Sequence, residues 1–193
     1  ALLQHPYFDL IGVRYALTTD ELTDPADLRG AGPVVGPVIK GRGALYVHER
    51  ASAVERAYVA QSVAPLADDA AVVAAITANT LVPRRQAYVV AAELPESAPT
   101  TSFVDELRAL KVVRDDPCHI VIDVAPGDAT HLVMIDTFLP GWSATIDGKT
   151  TEIVRCNHSQ RMITIPKSAC QVVITYEAPG LILGFLVMIF ATL

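Results

Sequence analysis

The sequence lacks a concentrated run of basic residues. Its 15 Lys and Arg are outnumbered by 21 Asp and Glu, which gives a formal net charge of −6, and the basic residues are scattered along the chain. Domains that bind nucleic acid through its phosphates carry a basic patch or stripe. We therefore expect no nucleic-acid partner.

Cysteine is also scarce, with only Cys118, Cys156 and Cys170 in the chain and no Cys-x-x-Cys spacing. In an oxidising compartment Cys118 and Cys170 are the candidate disulfide, because each opens a strand-like run, although the sequence does not choose among the three pairings. A zinc site needs at least three protein ligands, and close Cys/His pairs occur only at Cys118-His119 and Cys156-x-His158. We predict no metal and no cofactor.

Signatures of catalysis are missing too. The chain has no Gly-x-Ser-x-Gly motif, and Gly41–Gly43 lacks the strand-to-helix context of a phosphate loop. The adjacent acids Asp68-Asp69 and Asp115-Asp116 are more simply caps or turns than acid/base pairs, because neighbours on a strand point to opposite faces. We predict no catalytic residue in this chain.

Apolar residues, in contrast, are abundant. They make up 51% of the chain, and the mean hydropathy of +0.36 is high for a soluble domain. Part of the excess lies in GLILGFLVMIFATL, Gly180 to Leu193, which has no charged residue. As a helix, the part from Leu181 would span about 20 Å, against about 30 Å for the hydrocarbon core of a bilayer. No secretory signal with a basic n-region opens the chain.

We interpret this run, 180–193, as the start of a C-terminal transmembrane helix. The alternative is a buried core helix. In the first case the membrane-anchoring side chains are Leu181, Leu183, Phe185, Leu186, Ile189 and Phe190.

The rest of the chain predicts a β-rich α+β fold in two parts. Residues 1–95 form a mixed α/β portion, with strand candidates GALYVHE, VERAYVAQSV and QAYVVAAEL. Its helix, ADDAAVVAAITANT, has Asp68 or Asp69 available as N-cap. The linker-like PESAPTTS divides this portion from residues 96–179, which contain seven short runs separated by turns and are predicted to form an antiparallel β-sandwich. Among the turns, Asp147-Gly148 favours a type I′ hairpin.

The stretch DTFLPGWSATIDGK contains the chain's single tryptophan, Trp142. Pro140 cannot donate to a sheet ladder and Gly141 weakens one, so a strand must end or bulge there. Trp142 then begins the next strand and shares a face with Ala144 and Ile146. We interpret Trp142 first as a core residue.

Carbohydrate binding is the alternative role for this stretch. An aromatic face packs against sugar C–H groups, and carboxylates accept hydrogen bonds from hydroxyls. The candidate carbohydrate-binding residues are Trp142, Asp136 and Asp147, with Tyr46 and Tyr58 as contributors from the other part. Asp147 is more simply explained as the turn residue.

Several stretches occur in a characteristic order along the chain: IGVRYALT, ERAYVAQSV, DTFLPGWSATIDGKTTEI, RMITIPKSACQVVITYEAPG and then the apolar run. Together they resemble the C-terminal extracytoplasmic part of bacterial YfhO-like polytopic membrane proteins, which look related to the GT-C class of lipid-sugar-dependent glycosyltransferases. The most specific part is the series Pro140-Gly141-Trp142, Asp147-Gly148-Lys149 and Tyr176-x-x-Pro179-Gly180. The resemblance covers nearly the whole chain.

The resemblance implies a non-catalytic extracytoplasmic domain associated with lipid-linked glycosyl transfer. It places the chain at the bacterial inner membrane, with the globular part on the periplasmic or extracellular side. It also implies that membrane helices precede this region and that the helix beginning at Leu181 continues. The catalytic acid of GT-C enzymes lies on an early extracytoplasmic loop, so no catalytic residue is carried over.

The expected partners are the lipid bilayer and either an acceptor glycan or other membrane-protein subunits. Two further classes of function stay open. The chain could be a membrane-anchored accessory subunit of a larger complex, without an enzymatic role. It could also be a soluble β-sandwich binding module whose apolar tail is a core helix.

Overall fold

The computed structural model describes a β-rich chain whose strands form several antiparallel sheets and one parallel pair. The β-rich prediction is therefore confirmed. The residues that the structure describes are 5, 7–18, 40–41, 43–44, 46–50, 53–78, 82, 85–95, 103–105, 107–181 and 188–189.

The described helices with defined bounds are α1 (Tyr7–Leu10), α2 (Asp69–Thr77) and one turn of 3₁₀ helix, Ala91–Glu93. The strands are β1 (Tyr15–Thr18), β2 (Lys40–Gly41), β3 (Gly43–Ala44), β4 (Tyr46–Glu49), β5 (Ala57–Ala60), β6 (Ser62–Leu66), β7 (Gln86–Val90), β8 (Leu110–Asp116), β9 (His119–Val124), β10 (His131–Met134), β11 (Trp142–Ile146), β12 (Lys149–Thr151), β13 (Val154–Cys156), β14 (Gln160–Thr164) and β15 (Cys170–Tyr176).

The larger sheet has five antiparallel strands in the order β12-β11-β15-β9-β8. Burial alternates along its central strands, so that Ile120 and Ile122 on β9 and Val172 and Ile174 on β15 are fully buried. This period of two is the sequence pattern of a strand with one face in the core. The alternating runs predicted for this region are thereby explained.

The second sheet has four antiparallel strands in the order β13-β14-β10-β5. All four residues of β5 and all four of β10 are buried, so both faces of this sheet are covered. β5 comes from the portion before residue 95, and it pairs with β10 from the portion after it. The predicted boundary at 95/96 is thus crossed by strand pairing, which local patterns do not reveal.

Each face of the four-stranded sheet contributes to a different core. On one face, Val59 and Leu132 share a cluster with Ile122 and Ile174 of the five-stranded sheet. On the other face, residues of β5, β10, β13 and β14 pack against the parallel pair β6–β7. Helix α2 adds a further cluster on β7, formed by Leu10, Val72, Ile76 and Tyr88.

Helix α2 begins as the sequence predicts. The Asp68 carboxylate accepts a hydrogen bond from the Ala71 N–H at 2.8 Å, which satisfies one of the unpaired donors of the first turn. Val72 and Ile76 are its buried residues. Only this narrow stripe faces the sheet, and the alanines lie around it.

Two predicted strands differ in extent from the structure. The run TTEIVR is divided between β12, which pairs with β11, and β13, which pairs with β14. The chain passes from one sheet to the other at Glu152 and Ile153, and Ile153 packs against the core between them. The run QAYVVAAEL ends as a strand at Val90, where a 3₁₀ turn follows.

The predicted membrane segment is described only in part. Within the described residues, no helix has the length and apolar character needed to span a membrane. Of the six predicted anchor residues, Leu181 and Ile189 are described and exposed. The other four, Leu183, Phe185, Leu186 and Phe190, lie outside the described residues. The anchor therefore stays a prediction.

The predicted disulfide is not formed, and Cys118, Cys156 and Cys170 are all free. Cys118 lies beside Tyr176, whose N–H donates to the Cys118 carbonyl, whereas Cys170 is paired with Val124. These are opposite ends of the β9–β15 pair. Two cysteines so far apart cannot be bridged, because a disulfide needs Cα atoms within about 7 Å.

We expect His131 to make stability depend on pH. It is fully buried in β10, and this burial lowers its pKa from 6.5 to about 4. Between these pH values the unfolded chain binds a proton that the folded chain does not, so the contribution is complete above pH 6.5 and is lost as the pH falls to 4. Denaturant unfolding at pH 7 and pH 4 should show a decrease of up to about 3 kcal/mol from this residue.

The control is the non-ionisable variant His131→Gln. The other titratable groups change the unfolding free energy of both proteins alike. The difference between the two pH dependences of the unfolding free energy is therefore the contribution of the His131 imidazole. Identical slopes in the two proteins would contradict the prediction.

Candidate functional site

The connection 135–141 leads from β10 of the four-stranded sheet to β11 of the five-stranded sheet. It ends, as predicted, in a break at Pro140-Gly141, where Gly141 has a φ of +101°. A Cβ at Gly141 would overlap the carbonyl oxygen of Glu177, and the Glu177 N–H donates to the Gly141 carbonyl at 2.9 Å. Only glycine fits here, and it joins this connection to the chain that leaves β15.

Trp142 lies at the edge of the core. It is paired across β11 and β15 with Tyr176, and the two rings are 5.0 Å apart with an interplanar angle of 46°. Trp142 packs against the same core cluster as Ala144 and Ile146. The predicted inward direction is confirmed, but the ring is half-buried and not enclosed.

The guanidinium of Arg161, on β14, lies over this ring. Its Cζ is 3.9 Å from the Trp142 ring centroid, and its Nη2 is 3.1 Å from Oδ2 of Asp136. The Arg161 side chain is almost completely buried, which lowers its pKa, while the Asp136 carboxylate opposes this shift. None of its Nε, Nη1 and Nη2 atoms has a hydrogen-bond partner among the described residues, so the contact of Nη2 with Asp136 is an ion pair. The indole face and one carboxylate are thus what stabilises this charge.

A second arginine completes the arrangement. Arg56 donates from Nε and Nη2 to the two oxygens of Asp136, at 3.1 and 3.2 Å, and from Nη1 to Asp115. Asp136 therefore bridges Arg56 and Arg161, and Asp115 lies on β8 of the other sheet. We call Arg56, Asp115, Asp136, Trp142 and Arg161 the Trp142 cluster.

The structure brings together two of the three candidate carbohydrate-binding residues. Asp136 and Trp142 belong to the Trp142 cluster, but Asp147 lies at the opposite end of β11. Its φ of +49° is that of a type I′ turn, and its carboxylate accepts from the Gln171 N–H at 2.9 Å. Asp147 is a turn residue, as its simpler explanation predicts.

The two tyrosines do not extend this site. The Tyr58 hydroxyl is buried and accepts a hydrogen bond from Asn157 Nδ2 at 3.3 Å, and burial raises its pKa. It is a core residue, which corrects its proposed contribution. The side chain of Tyr46 lies outside what the structure describes.

Sequence reasoning missed Arg56 and Arg161. Each reaches Asp136 from a distant part of the chain, and neither lies in a motif. An arginine within a buried strand pattern, such as Arg161 in RMITIP, is the one local signal that could have identified such a site, because Arg is rarely buried without a partner.

The geometry limits what the Trp142 cluster can do. Arg161 occupies one face of the indole, so that face cannot stack on a sugar. Arg56, Asp115 and Asp136 keep roughly a quarter to a half of their side-chain surface exposed. These groups can exchange hydrogen bonds with hydroxyls of a ligand at the surface.

A separate grouping surrounds His158, for which the sequence offered no partner. Its Nδ1 is 2.9 Å from Oδ2 of Asp69, at the first residue of α2. His158 borders a pocket of about 340 Å³, which is also lined by His5, Tyr7, Phe8, Val73, Ile76 and Thr77. The hydroxyl of Thr77 donates to the carbonyls of Val73 and Ala74. An Asp–His pair without an activated nucleophile beside it does not make a catalytic triad.

Comparison with known proteins adds no assignment. The chain has no significant match to a protein-family model, to a curated protein or to a solved structure.

The two acids of the Trp142 cluster should contribute unequally to stability. Asp136→Asn removes the charge beside buried Arg161, and we expect a loss of about 3 kcal/mol in the free energy of unfolding. Asp115→Asn removes a half-exposed partner of Arg56, and we expect a loss of less than about 1 kcal/mol. Denaturant unfolding of both variants tests this, and equal losses would show that Arg161 does not depend on Asp136.

Two glycines with positive φ provide a matched pair. Gly148→Ala strains the backbone only, since nothing lies within 4 Å of a Cβ there, and should cost about 1–2 kcal/mol. Gly141→Ala adds the overlap with the Glu177 carbonyl, so its melting temperature should fall by clearly more than that of Gly148→Ala. Similar melting temperatures for the two variants would mean that Gly141 is not packed as described.

Proposed function

We propose that this chain is the non-catalytic extracytoplasmic domain of a YfhO-like membrane protein associated with lipid-linked glycosyl transfer in the bacterial inner membrane. One observation carries the proposal. The Pro-Gly-Trp residues pack against the Tyr-x-x-Pro-Gly residues and form one unit with them, although the two parts of the series are far apart in sequence. A Cβ added at Gly141 would lie 2.9 Å from the Tyr176 ring and 3.0 Å from Pro179, so the glycine fits closely against both. Trp142 contacts Tyr176.

This unit gives the series a mechanical role. It holds the end of β15 against the connection 135–141, immediately before the chain continues into the apolar run at Leu181. In the proposal that run is the membrane anchor, and the five- and four-stranded sheets are the two layers of a β-sandwich mounted on it. The sharing of one core cluster by both sheets supports this arrangement.

The Trp142 cluster is the proposed contact for an acceptor glycan. Its exposed carboxylate and guanidinium groups suit sugar hydroxyls, which both donate and accept hydrogen bonds. Its position beside Tyr176 and Pro179 keeps it close to the anchor, where a lipid-linked sugar would be presented. The chemistry itself belongs, in this proposal, to membrane-region residues outside this chain.

The test is to isolate the native polypeptide in detergent, determine its intact mass and sequence, and analyse the bound saccharide by mass spectrometry. We expect a much longer chain with many membrane spans before Ala1, carrying glycan. A native chain starting near Ala1 and ending soon after Leu193, held in a larger assembly, would instead identify an accessory subunit and reject the proposal.

A matched pair of variants tests the glycan contact in the same preparation. Asp115→Asn should reduce the bound glycan several-fold, because it removes a surface acceptor of the Trp142 cluster. Asp128→Asn removes another exposed carboxylate, which is paired with Lys167 and lies outside this cluster, and should leave the glycan unchanged. Equal retention by both variants would remove the Trp142 cluster as the contact.

A further inference from the structure

The connection between β10 and β11 exposes apolar side chains. Phe138 is 37% and Leu139 52% exposed, and Pro140 is exposed beside them. The backbone here is held on both sides, by the Phe138 N–H donating to the Ser159 carbonyl at 2.6 Å and by the packing of Gly141 on Glu177. A segment fixed in this way keeps its apolar side chains on the surface. We call residues 137–140 the Phe138–Leu139 loop.

The Phe138–Leu139 loop lies where the chain enters its apolar C-terminal run. Gly141, one residue after Pro140, lies beside the Pro179 ring, which a Cβ added at Gly141 would approach to 3.0 Å. Leu181, two residues after Pro179, is 61% exposed and begins the uncharged segment. Exposed apolar side chains from two distant parts of the sequence are therefore brought to one edge of the molecule.

The ionic groups of this edge compensate one another. Arg56 pairs with Asp115 and Asp136, and Arg114 pairs with Asp116 at 2.5 Å. With Arg161 beside Asp136, three arginines face three aspartates. In a chain of net charge −6, three arginines are thus balanced by three aspartates beside these apolar residues, and Glu55 and Glu177 are further exposed carboxylates near them. Compensated charge beside exposed apolar side chains suits the interface of a bilayer more than open water.

We propose that the Phe138–Leu139 loop inserts into the interfacial region of the phospholipid bilayer as a second membrane contact. The inference rests on the proposed function, since it needs the run from Leu181 to be the anchor. A single helix leaves a domain free to tilt, whereas two separate contacts fix its orientation. The loop would thereby hold the Trp142 cluster at a constant height above the membrane.

The test uses single tryptophans as depth reporters. In a Trp142→Phe background, the chain carries Leu139→Trp, Ile189→Trp or Val113→Trp and is reconstituted into phosphatidylcholine vesicles with acyl chains brominated near the headgroup. Bromine quenches indole fluorescence only at short range. Ile189→Trp reports the anchor, and Val113→Trp, 53% exposed on β8, is the matched control on the domain surface.

We expect quenching of Leu139→Trp to be at least half that of Ile189→Trp and several-fold above that of Val113→Trp. If Ile189→Trp is quenched while Leu139→Trp behaves like Val113→Trp, the anchor stands and the loop contact is wrong. If none of the three is quenched, the anchor fails and the inference with it. Quenching of Leu139→Trp alone would reject the anchor at Ile189 and would overturn the inference of a second contact, because the loop would then be the membrane contact without an anchor.

A second series protects the test against misfolding of the Trp142→Phe background. It retains Trp142 and takes the difference in quenching between each substituted chain and the unsubstituted one. The loop contact is overturned if adding Leu139→Trp raises quenching no more than adding Val113→Trp does.

Discussion

The buried guanidinium of Arg161 is the constraint on which this end of the molecule depends. A charge removed from water must be compensated, and here a carboxylate and the face of an indole supply the compensation. Asp136 can stabilise the charge of Arg161 only if the connection after β10 runs beside β14. Trp142 can stabilise it only if β11 follows in the other sheet, between β12 and β15. One buried charge therefore ties together both sheets and the connection between them.

The same arrangement determines how the chain leaves the domain. Trp142 contacts Tyr176, and Gly141 packs on Glu177 and Pro179, so the end of β15 is held by the residues that Arg161 positions. In the proposed function, this packing would hold the domain in one orientation relative to its membrane anchor. The Trp142 cluster and the start of the apolar C-terminal run lie at the same edge of the molecule. This proximity is the physical basis for proposing a role at a membrane surface.

Local features of the fold were predictable where the responsible interactions are local. The cap of α2 depends on residues within one helical turn, and the turn at Asp147-Gly148 depends on two residues that tolerate positive φ. The break before Trp142 follows from the missing N–H of Pro140. The pairing of β5 with β10 and the division of TTEIVR between two sheets follow from contacts between distant segments, which no local pattern contains. The disulfide prediction was wrong for the same reason, since strand register separated its cysteines.

The sequence by itself determined the β-rich class, the positions of the turns and the apolar end of the chain, because alternation, Gly and Pro placement and hydropathy act within a few residues. Only the tertiary structure decided that Asp136 joins Trp142 while Asp147 does not, and that Arg56 and Arg161 complete the site. Residues 80 positions apart meet through sheet packing, and the burial of a charge is a property of the packed molecule. That is why the partners of Asp136 became visible only in the folded chain.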